Sequence, residues 1–392
     1  MPREFITNTP PRSITKQQAM FLTDHGVKGA LWVSKAAFPA PPDAALQNGV
    51  SRAIRDLGEG GEEYTMPALQ AVEGEWVGYR ASVKANTPEP AGLSEREKYE
   101  HLVRDRKTDM TLLYFHGGSY YLMDPVSTRP LMQKILSRTH SSIAHYPGWR
   151  LCRRKPGFRP PTDAPPTPPG CARRRNAYRH IPRRHGTAAT TSRNHAELTI
   201  HGPYTLHAGR LRVTGPVGLP PPPSFSPAQS SPPCTIWPSD PPRADLLCEG
   251  SALCHPLVSP LAAPSWAGSP PLFIVCGEER LADECKAFAQ KAARDGVRVV
   301  WEQYEAMPHC FSQVLEGSVE SEACFASWAG FVRMVTEKPG EVVTGGEFIT
   351  VRTLERTPVD VYNLLDMSQE DILDCMQRER QAIVERFTQS MA

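Results

Sequence analysis

The sequence contains no apolar run of the roughly 18–20 residues that a membrane-spanning helix needs. Its first residues, MPREFITNTPPRSITKQQ, also lack the apolar stretch of a secretory signal. A cytoplasmic protein without a membrane span is therefore expected. The ten cysteines show neither a CxxC pair nor a CxxC…HxxxH spacing, which argues against a zinc site and against a disulfide framework. Free, mostly buried thiols are expected instead. Strong net charge is missing too: 44 basic and 42 acidic side chains leave +2, so no global field points to nucleic acid or an anionic membrane.

A chain of 392 residues can bury a large core, as one big α/β domain with additions or as two ordinary domains. Composition divides it into three parts. Up to about residue 146 it reads as ordinary globular protein: SITKQQAMFL and PDAALQNGVSRAIRDLG are helical, and EYTMPALQAVEGEWVGYRASVKA has the short alternating runs of strands. REKYEHLVRDRKTDMTLLYFHGG is a charged helix or loop leading into a buried strand over Thr111–Phe115. From about 147 to 236 acids nearly vanish, leaving Asp163 and Glu197, while the stretch holds roughly half of the 40 prolines and runs such as CARRRNAYRHIPRRHG and GLPPPPSFSP. Proline removes helix and ladder donors at short intervals, so this part reads as a basic disordered insert. From about 237 order returns. SPPLFIVCGEE is a buried strand, RLADECKAFAQKAARDG an amphipathic helix closed by Gly296, and VRVVWEQYEAMPHCF a second strand running into a loop. Strand, helix, strand is the parallel-sheet unit. SEACFASWAGFVRMVTE and SQEDILDCMQRERQAIVERFTQ follow as helices.

Three stretches could carry chemistry. His116-Gly117-Gly118-Ser119 follows a buried strand, and glycines there let backbone amides approach a substrate atom closely. Two amides aimed at one point form an oxyanion hole; a plain turn after a strand is the other reading of the tetrapeptide. Glu279 follows one strand and His309 the next, thirty positions later. Loops at the carboxyl ends of adjacent parallel strands lie side by side, so such a carboxylate can orient such an imidazole as a general base. Alone, His309 reads as a surface or packed histidine.

HGG after one strand, G-E-E-R-L-A-D-E after another and M-P-H-C-F after a third resemble the hormone-sensitive-lipase-like esterases and lipases of the α/β-hydrolase fold, particularly fungal ones. The resemblance covers about 1–146 and 237–392. It implies an α/β-hydrolase fold with a mostly parallel central sheet and an N-terminal helical cap. The expected domains are 1–110 as cap and first strands, 111–146 as the first part of the core with the HGG loop, 147–236 as an aberrant or disordered segment, and 237–392 as the rest of the core. In the family the HGG backbone amides form the oxyanion hole, which maps to Gly117 and Gly118, with Ser119 in place of the usual third glycine. The acid opening the D/E-x-L-x-D pattern maps to Glu279, with Asp283 closing it, and the histidine to His309. A small-molecule ester substrate, no cofactor, no metal and no nucleic-acid partner are implied. WPSDPPRADLLCEGSALCHPLVSPLAAPSWAGSPPLF also resembles the segment before the acid strand.

The family's nucleophile sits in G-x-S-x-G on a strand-turn-helix elbow. No such motif occurs in this sequence, and the neighbouring serines, Ser119 and Ser192, have neither the flanking glycines nor the setting. The nucleophile is therefore unknown. It ought to fall inside the Pro/Arg-rich part, which suggests a gene read there in the wrong frame. Regrouping the codons of GWRLCRRKPGFRPPTD permits Arg-Leu-Ala-Pro and then Phe-Pro-Ala-Ala, the pattern this family carries at that place. The same regrouping recovers no G-D-S-x-G near 185–195. A translation artefact or natural frame disruption and a genuine insert both stay open. As written, the chain is an ester hydrolase lacking its attacking hydroxyl, or else a catalytically inactive hydrolase-like binding protein or the product of a defective gene. The Pro/Arg-rich part, with Tyr178 and Tyr204 isolated, offers no stacking platform for nucleic acid.

Overall fold

The computed structural model describes residues 12–20, 24–41, 44–108, 110–118, 121–139, 142–146, 231–279 and 281–391. Ser119, Ser192 and the middle part up to residue 230 lie outside the described residues, and the expectations of disorder or aberrance fall on them.

Among the described residues, eight strands form two four-stranded sheets. The first holds β1 (Leu31–Phe38), β2 (Val72–Tyr79), β3 (Thr111–Phe115) and β4 (Ser142–Tyr146) in the spatial order β1-β2-β4-β3. The second holds β5 (Leu272–Gly277), β6 (Val299–Tyr304), β7 (Gly345–Ile349) and β8 (Arg356–Val359) in sequential order. β3 runs parallel to β4, and β5, β6 and β7 run parallel to one another. Pairing is antiparallel between β1 and β2, between β2 and β4, and between β7 and β8. β3 and β5 are the last strands of their sheets among the described residues.

The helices are α1 (Ile14–Ala19), α2 (Ala45–Leu57), α3 (Glu95–Asp105), α4 (Pro125–Thr139), α5 (Ala282–Arg294), α6 (Phe311–Val314), α7 (Val319–Glu337) and α8 (Gln369–Met391). Local chemistry sets their ends. α3 starts in a capping box, the Ser94 hydroxyl accepting from the Glu97 amide while the Glu97 carboxylate accepts from the Ser94 amide. α4 starts with Asp124, whose carboxylate accepts from the Ser127 amide at 3.2 Å, and with Pro125 in its first turn, where no amide donor is needed. α5 carries Asp283 and Glu284 in its first turn and Lys291 and Arg294 in its last, each sign matched to the helix dipole.

One apolar core joins the two sheets. Leu31, Val33, Val77 and Tyr114 of the first sheet share it with Phe273 of the second. α4 contributes Leu131, Met132, Ile135 and Leu136, and α7 contributes Phe325, Trp328, Phe331 and Val332. In both helices the spacing of three and four puts these residues on one face. α4 is also pinned by charge: Arg129, 5% exposed, donates from Nε to Glu75 Oε2 at 2.8 Å and from Nη1 to Asp24 Oδ1 at 2.8 Å. Burial pushes the Asp24 carboxyl up, but the bond and charge of Arg129 prevail and hold it well below the usual carboxylate range.

β1, β4, β7, β8 and α4 had no local signal strong enough to predict them. β7 opens with two glycines and β8 contains Pro358, which suits an edge strand but breaks the expected alternation. α4 carries Pro130 within it. Conversely, the stretch before Val72, expected to alternate as strand, has no regular structure. The six-residue α1 places fully buried Ile14 against Tyr121, Trp237 and Leu246, and Gln18 donates from Nε2 to the Tyr121 carbonyl at 2.9 Å. The N-terminal segment thus lies against the chain that follows Gly118. Cys234 and Ile236, at the end of the Pro/Arg-rich part, pack into the same cluster.

Candidate active site

The register of β5 and β6 builds one corner of the site. Gly277 pairs with Tyr304 at the carboxyl ends of these parallel strands, so the loops beginning at Glu278 and Glu305 leave the sheet side by side. They touch at once: a Cβ built on Gly277 would stand 2.0 Å from the Met307 carbonyl oxygen and 3.1 Å from Met307 Cβ. Only glycine lets the two loops lie this close.

The two acids after Gly277 divide the work of holding the second loop. Glu278 Oε2 accepts from the Ala306 amide at 2.9 Å, bracing a residue whose φ of +53° is costly for anything but glycine. Glu279 Oε1 meets His309 Nδ1 at 2.8 Å, with the carboxylate mostly buried and the imidazole about half-exposed. The donor is the Nδ1–H, which fixes the orientation of the ring. A hydrogen bond with Cys310, then the bond to Glu279, raises the His309 pKa to about 10, against a downward push from burial. Asp283, which closes the acid pattern, stands in the first turn of α5, 3.7 Å from Lys286 Nζ.

The glycine loop lies at the carboxyl end of β3. Gly118 has φ +125°, and a Cβ there would be 2.4 Å from the Leu122 carbonyl oxygen. Its own carbonyl accepts from the amides of Tyr121 at 3.2 Å and Leu122 at 2.8 Å. Glycine at 118 is therefore required by the turn itself. Gly117 has open space around its α-carbon, and its carbonyl accepts from His116 Nδ1 at 2.7 Å. Gln313 in α6 donates from its Nε2 to the Tyr114 hydroxyl on β3 at 3.4 Å, joining the helix after His309 to the strand before the glycine loop.

Gly277, Glu278 and Cys310 belong to this site but were not singled out from sequence. The signal for the first two was present in the doubled acid after a strand-ending glycine, yet nothing local distinguishes which acid meets the ring. Among the described residues no cluster of three His, Cys, Asp or Glu side chains could hold a metal ion.

The family model described as the α/β hydrolase fold matches residues 223–313, a segment that contains both Glu279 and His309. The fold is that of the α/β hydrolases. Within it, the loops after β3, β5 and β6 occupy the carboxyl ends of parallel strands, where open α/β sheets place their ligands. No curated protein matches the chain. Among solved structures, an arylesterase is 13% identical, covering 74% of this chain and 91% of its own at a TM-score of 0.40. An esterase/lipase from an uncultured bacterium is 18% identical over 75% of this chain and 92% of its own, at 0.36. An esterase from the bacterial hormone-sensitive lipase family is 17% identical over 67% and 80%, at 0.37. At these identities and scores the α/β-hydrolase assignment rests on the matched segment and the strand arrangement. Among the described residues no helix is long and apolar enough to cross a membrane.

Proposed function

We propose that this chain carries the acid–base and oxyanion parts of a carboxylic-ester hydrolase of the hormone-sensitive-lipase-like type, acting on small-molecule esters, and that it is impaired because its nucleophile is missing. The observation that carries the reading is the 2.8 Å bond between Glu279 and His309 at the ends of adjacent parallel strands. In such chemistry His309 takes the proton of an attacking hydroxyl, Glu279 orients the ring and stabilises its charged form, and the amides of Gly117 and Gly118 hold the oxyanion.

A further observation supports impairment: the sequence has no G-x-S-x-G motif. On α6 the large apolar side chain of Val314 is 65% exposed. Such surface favours association, so poor solubility follows.

A short p-nitrophenyl ester assay on the full chain, with His309→Ala as control, tests the reading. Slow turnover that falls in the variant is expected, because binding and an oxyanion hole sustain some rate without the nucleophile. Turnover unaffected by the substitution would favour a hydrolase-like binding protein. Sequencing the transcript across residues 140–240 decides the origin of the Pro/Arg-rich part: a single open frame with matching peptides would establish a genuine insert.

A further inference from the structure

The histidine loop is also tied to its neighbour on the far side, the turn between β7 and β8. Glu305, the first residue after β6, donates from its amide to the Ile349 carbonyl at 2.9 Å, adding a rung to the parallel ladder between β6 and β7. In such a ladder the next rung would run from the Val351 amide to the Glu305 main-chain carbonyl. Here the Val351 amide donates to Glu305 Oε2 instead, at 2.8 Å. The side chain completes the sheet while the main chain leaves it. The chain turns at once: Ala306 has φ +53°, and its amide donates to Glu278 on the opposite side.

We infer that Glu305 is a positioning residue for His309: its carboxylate locks the start of the histidine loop to the β7–β8 turn, so that the ring is held against Glu279. The turn is a firm support. Glu320, buried in the first turn of α7, accepts from the Arg352 amide with its Oε1 at 2.9 Å. Val351 and Leu354 pack into the same apolar cluster as Met307 and Phe311, the residues two before and two after His309. The Phe311 ring lies 4.8 Å from that of Tyr304, the last residue of β6. His309 thus sits on a short span anchored at both ends.

Backbone strain is gathered in the same place. Of the six non-glycine residues with positive φ among the described residues, Ala306, Cys310, Arg352 and Leu354 belong to this loop and this turn. Such conformations persist only where the surroundings over-determine them. The carboxylates of Glu278, Glu305 and Glu320 do so by binding the amides of Ala306, Val351 and Arg352. The His309 ring itself is about half-exposed, so its place depends on the loop beneath it.

That His309 acts as a base rests on the ester-hydrolase reading; the placement of its ring does not, and the test needs no catalysis. The full chain with isotope-labelled histidine is titrated by NMR, the His309 signal being identified by its loss in His309→Ala. Glu305→Met keeps the side-chain length and removes the acceptor. Glu305→Gln removes the same charge but keeps an oxygen for the Val351 amide. The Met variant is expected to lower the His309 midpoint by about one pH unit or more, roughly a tenfold weakening of the interactions that favour the charged ring. The Gln variant is expected to titrate as wild type does. An unchanged midpoint in the Met variant would overturn the inference, and so would an equal fall in both variants, which assigns the effect to charge alone. A Met variant that no longer unfolds cooperatively in urea, where wild type does, would overturn it too, because Glu305 would then serve the fold as a whole. A fall confined to the Met variant, found together with ester turnover indifferent to His309→Ala, would keep Glu305 as a positioning residue and remove the hydrolase reading alone.

Discussion

The two sheets hold the loops at their strand ends by different means. At the end of β3, the glycine loop is closed by its own backbone, Gly118 accepting from Tyr121 and Leu122. At the ends of β5 and β6, two loops hold each other through Gly277 against Met307, Glu278 on Ala306 and Glu279 on His309. Backbone donors need only a turn of the right shape. A side-chain bond between loops needs two groups from separate strands at hydrogen-bond distance, so the second corner depends on strand register and on bracing contacts that the first does not need.

The largest effect should come from the first sheet's buried charges. Arg129→Met strands Glu75 and Asp24, and removing one partner of a buried pair costs about 3–5 kcal/mol. Urea unfolding is expected to show that loss. If the midpoint stays unchanged, the network does not anchor α4.

The glycines separate the two corners. Gly277→Ala and Gly118→Ala each force a Cβ against a backbone carbonyl, a steric conflict that costs about 1–3 kcal/mol. Only Gly277→Ala is expected to disturb the His309 titration followed by NMR. An equal change in both variants would mean that the corners are not independently built.

A titration probes the bond between Glu279 and His309. Cys310→Ser, and to a smaller extent Glu279→Gln, should bring the His309 pKa down from about 10 toward the ordinary 6.5. Because the folded value is the raised one, the stability contributed by the imidazolium is complete below about pH 6.5 and fades as pH rises through about 10. Solvent screening of a half-exposed ring keeps that contribution modest. At neutral pH the ring therefore keeps its proton, and any histidine-dependent ester turnover should rise with pH across the same interval. A flat profile would separate turnover from His309.

Much of this architecture was readable in one dimension. β5, α5 and β6 follow from an apolar run, a periodic helix closed by Gly296 and a second apolar run, and each of the three loops begins where such a run ends. β7 and β8 were not readable, because two glycines and a proline mask their pattern and their place depends on β6 as a template. α4 was hidden by Pro130, tolerated in a helix that the shared core holds in place.

By itself the sequence determined the strand-helix-strand order, a glycine turn after β3 and the thirty-position separation of Glu279 from His309, because these depend on local periodicity and on residue types with special backbones. Tertiary structure decided the rest. That Glu279 meets the ring while Glu278 takes the Ala306 amide follows from pairing Gly277 with Tyr304. Neighbouring residues on an exit loop point in different directions, and only the register of the adjoining strand determines which one finds a partner.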